Sequence, residues 1–201
     1  MDIIKLVTST YNKIAGKYTA GNASDESNFP YTDKLLSYLP KQAKILDVGS
    51  GPGILTQYVL NKGYQAEGID TSEEMIKIAR EKVPGGTFTV MDMRHTSYND
   101  SAFDAIKAAY SLIHIPSLEI PNTLKEFNRI LKPEGTLLIV VQKGEADQLV
   151  PEPLDADQQT FVNFFTLERL NNFLKAQSFT ITEQEEMQTD DPCPFKKSDT
   201  V

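Results

Sequence analysis

The stretch ILDVGSGPG carries an apolar run into Asp47 and then sets glycines at positions 49, 51 and 53. Glycines so spaced let a chain turn tightly and let a ligand approach the backbone without meeting a Cβ. Two further apolar runs end in acids, YQAEGID in Asp70 and GTFTVMD in Asp92, while FDAIKAAY ends on Tyr110 and is followed by Ser111. If these runs are parallel neighbours, three carboxylates and a glycine turn converge on one edge, as in a nucleotide-type site. The dinucleotide fingerprint G-x-G-x-x-G requires glycine or alanine where Ile54 stands. An acid two residues before Gly49 would also repel a pyrophosphate and favour a cation. S-adenosylmethionine, with its ammonium and sulfonium, meets that requirement.

The elements that must position these residues follow from periodicity. After a short N-terminal helical lead and a polar loop over 21–28 come the strand KILDVG, the helix ILTQYVLNKG capped by Gly63, and the strand YQAEGID. TSEEMIKIAREKV reads as a helix in which Thr71 and Glu74 form a capping box and Ile76, Ala79 and Val83 share a face. GTFTVMD, FDAIKAAY and GTLLIVVQ supply three more strands. A helix over 122–131 is marked by Leu124, Phe127 and Leu131 and stops before Pro133. A last helix, TLERLNNFLKAQ, precedes a strand FTITEQEE. Strands alternating with helices predict an α/β fold, a doubly wound and mostly parallel sheet with ligands beyond the strand C-terminal ends.

A chain of 201 residues, 40% hydrophobic, fits one domain: a lead over 1–40, a core over 41–142 and a covering segment with the last helix and strand over 143–201. A formal charge of −8 disfavours a phosphate-binding surface, so nucleic acid is a poor partner. Without a long apolar stretch the expectation is a soluble, cytoplasmic protein that binds no membrane. The single cysteine, Cys193, excludes an intrachain disulfide framework and a multi-cysteine metal site. Asp155 and Asp157 read as solvated loop acids, so no metal is expected.

Taken together, ILDVGSGPG, GIDTSEEMIKIAR, MDMRHTSY, FDAIKAAYSLIHIP and EFNRILKPEGTLLIV resemble the class I (Rossmann-like) S-adenosylmethionine-dependent methyltransferases, specifically the methyltransferase-domain group acting on small molecules. The resemblance covers 44–141 in register. It implies that Asp47, Gly49, Ser50 and Gly51 flank the methionine part of S-adenosyl-L-methionine, and that Gly53 lets the next helix pack closely. It places Asp70 on the ribose diol, with Thr71 beside it and Met75 at the adenine pocket. Asp92 would receive the adenine amine between Met91 and Met93, and Tyr110 with Ser111 would pass the methyl donor. YNKIAGKY resembles the group's leading helix, in which Tyr11 and Tyr18 sit over the cofactor.

The implied reaction is in-line transfer of a methyl group to a small-molecule acceptor, leaving S-adenosyl-L-homocysteine. His114 lies on the acceptor edge and is the candidate general base, since an ordinary imidazole titrates near neutrality. The alternative is a histidine that merely holds the loop, because placing the acceptor in line can supply most of the rate. His95 has a weaker claim. Two other functions compete: a non-catalytic S-adenosylmethionine-binding module and, less favoured, an NAD(P)-dependent oxidoreductase. The family sheet ends in an antiparallel strand beside strand five, but MQTDDPCPFKKSDTV offers no apolar alternation and has prolines at 192 and 194. That strand is expected to be missing or short, leaving an edge compatible with a monomer or weak homodimer.

Overall fold

The computed structural model describes residues 1–23 and 25–186. Two helices, α1 (Ile3–Gly21) and α2 (Phe29–Ser37), precede β1 (Lys44–Val48), α3 (Ile54–Asn61), β2 (Gln65–Asp70), α4 (Glu73–Lys82), β3 (Thr87–Val90), β4 (Phe103–Ala109), α5 (Ile120–Ile130) and β5 (Leu131–Val140). The five strands form one parallel sheet in the order β3-β2-β1-β4-β5. This is the doubly wound arrangement expected from the alternation. Leu46 and Val48 of β1 enter one core cluster while Ile45 enters another, so the central strand is buried on both faces. That is why its sequence is a continuous apolar run.

Local chemistry sets the helix ends. Ser72, not Thr71, caps α4, its hydroxyl accepting the Met75 N–H at 3.2 Å. The expected box of Thr71 with Glu74 does not form, because the Thr71 hydroxyl pairs instead with that of Thr8 at 2.8 Å. Helix α5 begins at Ile120, earlier than its apolar spacing indicates, since Pro121 occupies the first turn where no N–H is needed. It ends at Ile130, and β5 takes over at Leu131.

The covering segment after β5 contains a hairpin that sequence patterning did not indicate. Its strands are β6 (Asp147–Glu152) and β7 (Asp155–Asn163), antiparallel to each other, and α6 (Leu167–Ala176) follows. A run such as DADQQT lacks the apolar alternation of a strand and is extended by its ladder with β6, while side chains of α1 tie it down. Thr10 Oγ1 donates to the Gln159 carbonyl at 2.7 Å and Lys13 Nζ to Gln158 at 2.7 Å.

The strand expected at FTITEQEE is not formed. Residues 179–186 carry no regular secondary structure and are held by side chains, Glu183 by Lys34 and Tyr38, and Gln184 by Asn171. This segment and β5 face one another across a groove of about 750 Å³. The absent or short final strand, and Cys193, fall outside the described residues.

Gly68, inside β2, is required by a close approach rather than a turn. A Cβ there would meet Phe88 at 2.6 Å and Ser50 Oγ at 2.7 Å. Gly68→Ala is expected to lower stability by about 1–3 kcal/mol through overpacking, read as a lower urea midpoint with an unchanged slope.

Candidate functional site

The glycine turn between β1 and α3 sits where the parallel sheet delivers its strand ends. Gly49, Gly51 and Gly53 have φ of +67°, +51° and +84°. A Cβ on Gly49 would lie 2.3 Å from that of Ser111, so the segment after β4 and the turn touch side chain to backbone. The turn is tied to β2 by the Ser50 N–H on the Ile69 carbonyl at 2.9 Å and by the Gly51 N–H on Asp70 Oδ2 at 3.0 Å. The Ser72 N–H donates to the other Asp70 oxygen at 2.9 Å. Burial is the largest influence on Asp70 and pushes its carboxyl up from 3.8, while these amide donors pull it back.

One cleft runs past these groups. It encloses about 90 Å³ and opens to solvent. Gly49, Gly51, Asp70, Thr71, Met75, Met91, Asp92, Met93, Tyr110, Ser111, Tyr11, Tyr18 and His114 all line it, so most of the expected site residues are brought together. Ile4, Val7, Ala109 and Ile115 join them. Of these, Val7 is the one a pattern could have found, since it shares a buried α1 face with Thr10 and Ile14. Tyr110 holds φ +52°, uncommon for a tyrosine, and its N–H is fixed on the Val140 carbonyl at 2.8 Å.

Three expected residues lie apart from the cleft lining. Asp47 is 3% exposed and turned into the core, where Lys107 Nζ donates to Oδ1 at 2.9 Å and Thr56 Oγ1 to Oδ2 at 2.8 Å. Its carboxylate is thereby neutralised, which offsets the attraction for a cation read from its position. Gly53 serves packing: a Cβ would strike Phe88 at 2.8 Å. Ser50 is buried beneath the turn. Its hydroxyl and that of Ser111 have no hydrogen-bond partner among the described residues. His95 is exposed and does not line the cleft.

At the far end, Asp92 is gripped by Arg94, whose backbone N–H reaches Oδ1 at 2.9 Å and whose Nη2 reaches Oδ2 at 2.7 Å. Arg94 also contacts Glu119. Helix α1 closes the other side. Asn12 accepts from the Ser72 hydroxyl at 2.7 Å, and Tyr11 reaches His114 Nε2 at 2.9 Å. His114 Nδ1 lies 2.7 Å from the Phe161 carbonyl, which can only accept, so Nδ1 carries the hydrogen and Nε2 accepts from the Tyr11 hydroxyl. Burial lowers His114 to about 4, keeping the ring neutral.

Residues 23–184 match the family model described as a methyltransferase domain. The chain belongs to that family. It is 33% identical over 147 residues to YqeM of Bacillus subtilis, a match covering 69% of this chain and 60% of that protein. The chain thus spans less than two thirds of that relative's length. Among solved structures it resembles a Methanosarcina mazei S-adenosylmethionine-dependent methyltransferase, with TM-score 0.75, 24% identity and coverage of 83% of this chain and 93% of that one. It also resembles the Burkholderia thailandensis 1,6-didemethyltoxoflavin-N1-methyltransferase, with TM-score 0.77, 20% identity and coverage of 98% and 84%. At these identities the two structures speak for the fold.

Because the His114 ring falls from 6.5 to about 4 in the fold, the unfolded methyltransferase chain takes up that proton first on acidification. The neutral ring's contribution is complete above pH 6.5 and is lost as pH falls toward 4. His114→Gln, which cannot titrate, is expected to flatten the urea midpoint against pH across that window.

Proposed function

We propose that this protein transfers a methyl group from S-adenosylmethionine to a small-molecule acceptor. The observation that carries the reading is the single cleft that gathers the glycine turn, Asp70, the methionines around Asp92, and Tyr110 with Ser111 in a chain of the methyltransferase family. The residues fit such a cofactor: the turn has bare backbone at Gly51, two orphan hydroxyls flank it, and Asp70 offers two acceptor oxygens to a diol. Met75, Met91 and Met93 would enclose an adenine whose amine faces Asp92. The similar Burkholderia thailandensis enzyme was crystallised with S-adenosylhomocysteine and 1,6-didemethyltoxoflavin, which supports the same pairing of a nucleoside cofactor with a small acceptor.

When bound, S-adenosylmethionine supplies a methyl group on a sulfonium, a good leaving group. The protein's own task is then to orient the acceptor and exclude water. No lysine or arginine lines the cleft among the described residues, so an anionic acceptor would be buried uncompensated. The acceptor that suits this lining is neutral or cationic. His114 acts as a positioning residue and not as a general base: its ring is a weak base, and its Nε2 is committed to the Tyr11 hydroxyl. The Tyr11 oxygen, its proton directed at the ring, presents lone pairs to an N–H or O–H of the acceptor.

Calorimetric titration tests the cofactor. S-adenosylmethionine and S-adenosylhomocysteine should both bind, Asp70→Ala should abolish binding with the fold intact, and no binding to the folded wild type would sink the reading. Since only the ionised Asp70 accepts from both hydroxyls and its carboxyl is pushed up from 3.8, affinity should fall on acidification before an ordinary aspartate would titrate. With an acceptor in hand, Tyr11→Phe is expected to lower kcat/KM about tenfold, the worth of one directed hydrogen bond. His114→Ala added to it should cost little more.

A further inference from the structure

Asp92 stands two residues beyond β3, on a turn in which its carbonyl accepts the His95 N–H at 3.2 Å. Arg94, two residues on, supplies donors to both oxygens of the Asp92 carboxylate. Its backbone N–H reaches Oδ1 at 2.9 Å, Nη2 reaches Oδ2 at 2.7 Å, and Nε is shared between the two oxygens at 3.1 and 3.0 Å. The guanidinium is anchored in turn at its other end, where Nη1 contacts Glu119, the residue that leads into α5. Asp92 lines the cleft, and the Arg94 and Asp92 side chains are only 20% and 28% exposed.

A carboxylate has about four positions at which it can accept a hydrogen. The backbone N–H, Nε and Nη2 of Arg94 fill most of them and leave room for one further donor. A strand-end aspartate without such a partner is free to turn its carboxylate toward water. One held by a planar fork is not, because the guanidinium fixes the plane of the carboxylate as well as its distance. The base expected at this end of the cleft carries an amino group on its outer edge, where the similarly shaped hypoxanthine carries a carbonyl. An amino N–H can donate to a fixed carboxylate oxygen. A carbonyl meets that oxygen lone pair to lone pair and leaves both acceptors unpaired.

We infer that Arg94 is a positioning residue for base recognition: clasping Asp92 and anchored on Glu119, it holds one acceptor position of the carboxylate toward the cleft and so sets the preference for an amino over a carbonyl group on the base. The inference rests on the methyltransferase reading above. Arg94 acts through Asp92, so the informative readout is the ratio of affinities for two ligands that differ only at that group. Loss of packing alone would weaken both ligands together and leave the ratio where it was.

The experiment is calorimetric titration with S-adenosylhomocysteine and with S-inosylhomocysteine, its hypoxanthine counterpart. Wild type, Asp92→Ala, Arg94→Met, Arg94→Lys and Glu119→Gln are compared after urea unfolding has shown which variants fold. Wild type should prefer the adenine ligand by about tenfold or more, the worth of one hydrogen bond to a charged group. Asp92→Ala and Arg94→Met should each bring the ratio within about threefold of unity, and Arg94→Lys should not restore it, since an ammonium keeps the charge but not the fork. Glu119→Gln, which loosens only the outer anchor, should lower the ratio by a smaller factor. If the Arg94 variants weaken both ligands equally, the arginine is merely structural and the inference falls. A preference that rises in Arg94→Met would show that Arg94 acts as a counter-ion and would overturn it as well. A wild-type ratio under about threefold overturns it even if no Arg94 variant folds. Failure of the folded wild type to bind S-adenosylhomocysteine would instead remove the methyltransferase reading.

Discussion

The turn after β1 keeps its left-handed glycines because the residues around it leave the chain no other course. Above it, the Ser111 side chain occupies the space a Gly49 Cβ would need. Beside it, Ile69 and Asp70 take the Ser50 and Gly51 amides. Below it, Asp47 is locked between Lys107 on β4 and Thr56 on α3. Strand, turn and helix are thus joined through one buried carboxylate, and removing Lys107 would leave an uncompensated charge in the core. The cleft inherits its shape from this constraint, since Asp70 and Ser111 are placed by the same contacts that hold the turn.

Elements outside the sheet complete the site from the opposite side. Helix α1 meets α4 through Thr8 and Asn12, and meets β7 through Thr10. His114 is where the three layers join: its ring spans from Tyr11 on α1 to the Phe161 carbonyl on β7, while the ring itself stands just after β4. A charged ring there would reverse the bond to Tyr11, with Nε2 donating to the hydroxyl oxygen, because both nitrogens would become donors. It is burial that keeps the ring neutral, and the same burial that disqualifies His114 as a strong base makes it a bracket between the two elements.

The other end of the sheet is less finished. β5 is an edge strand whose Leu137 and Ile139 are only half-buried, and residues 179–186 lie across a groove from it instead of pairing with it. The residues expected to hold the cofactor come from the ends of β1 to β4 and from α1, away from that edge. Among the described residues the cleft is therefore lined without any residue of that edge strand.

By itself the sequence determined the sheet and the strand-end residues of the cleft. Apolar runs of strand length, alternating with helical periodicity, fix a parallel order in which Asp70, Asp92 and Tyr110 must share an edge, because consecutive strand ends in such a sheet point the same way. Glycines 49, 51 and 53 were legible for the same reason, as local backbone geometry is a property of the residue. Only the tertiary structure decided what neighbours do to those groups. Asp47 reads as an available charge until β4 brings Lys107 against it, and His114 reads as a base until α1 and β7 close on both of its nitrogens. The hairpin of β6 and β7, polar in sequence, and the failed strand at 179–186, apolar and β-branched at its start, follow the same rule: a strand forms where a backbone partner lies alongside, and that partner is set by the fold and not by the segment.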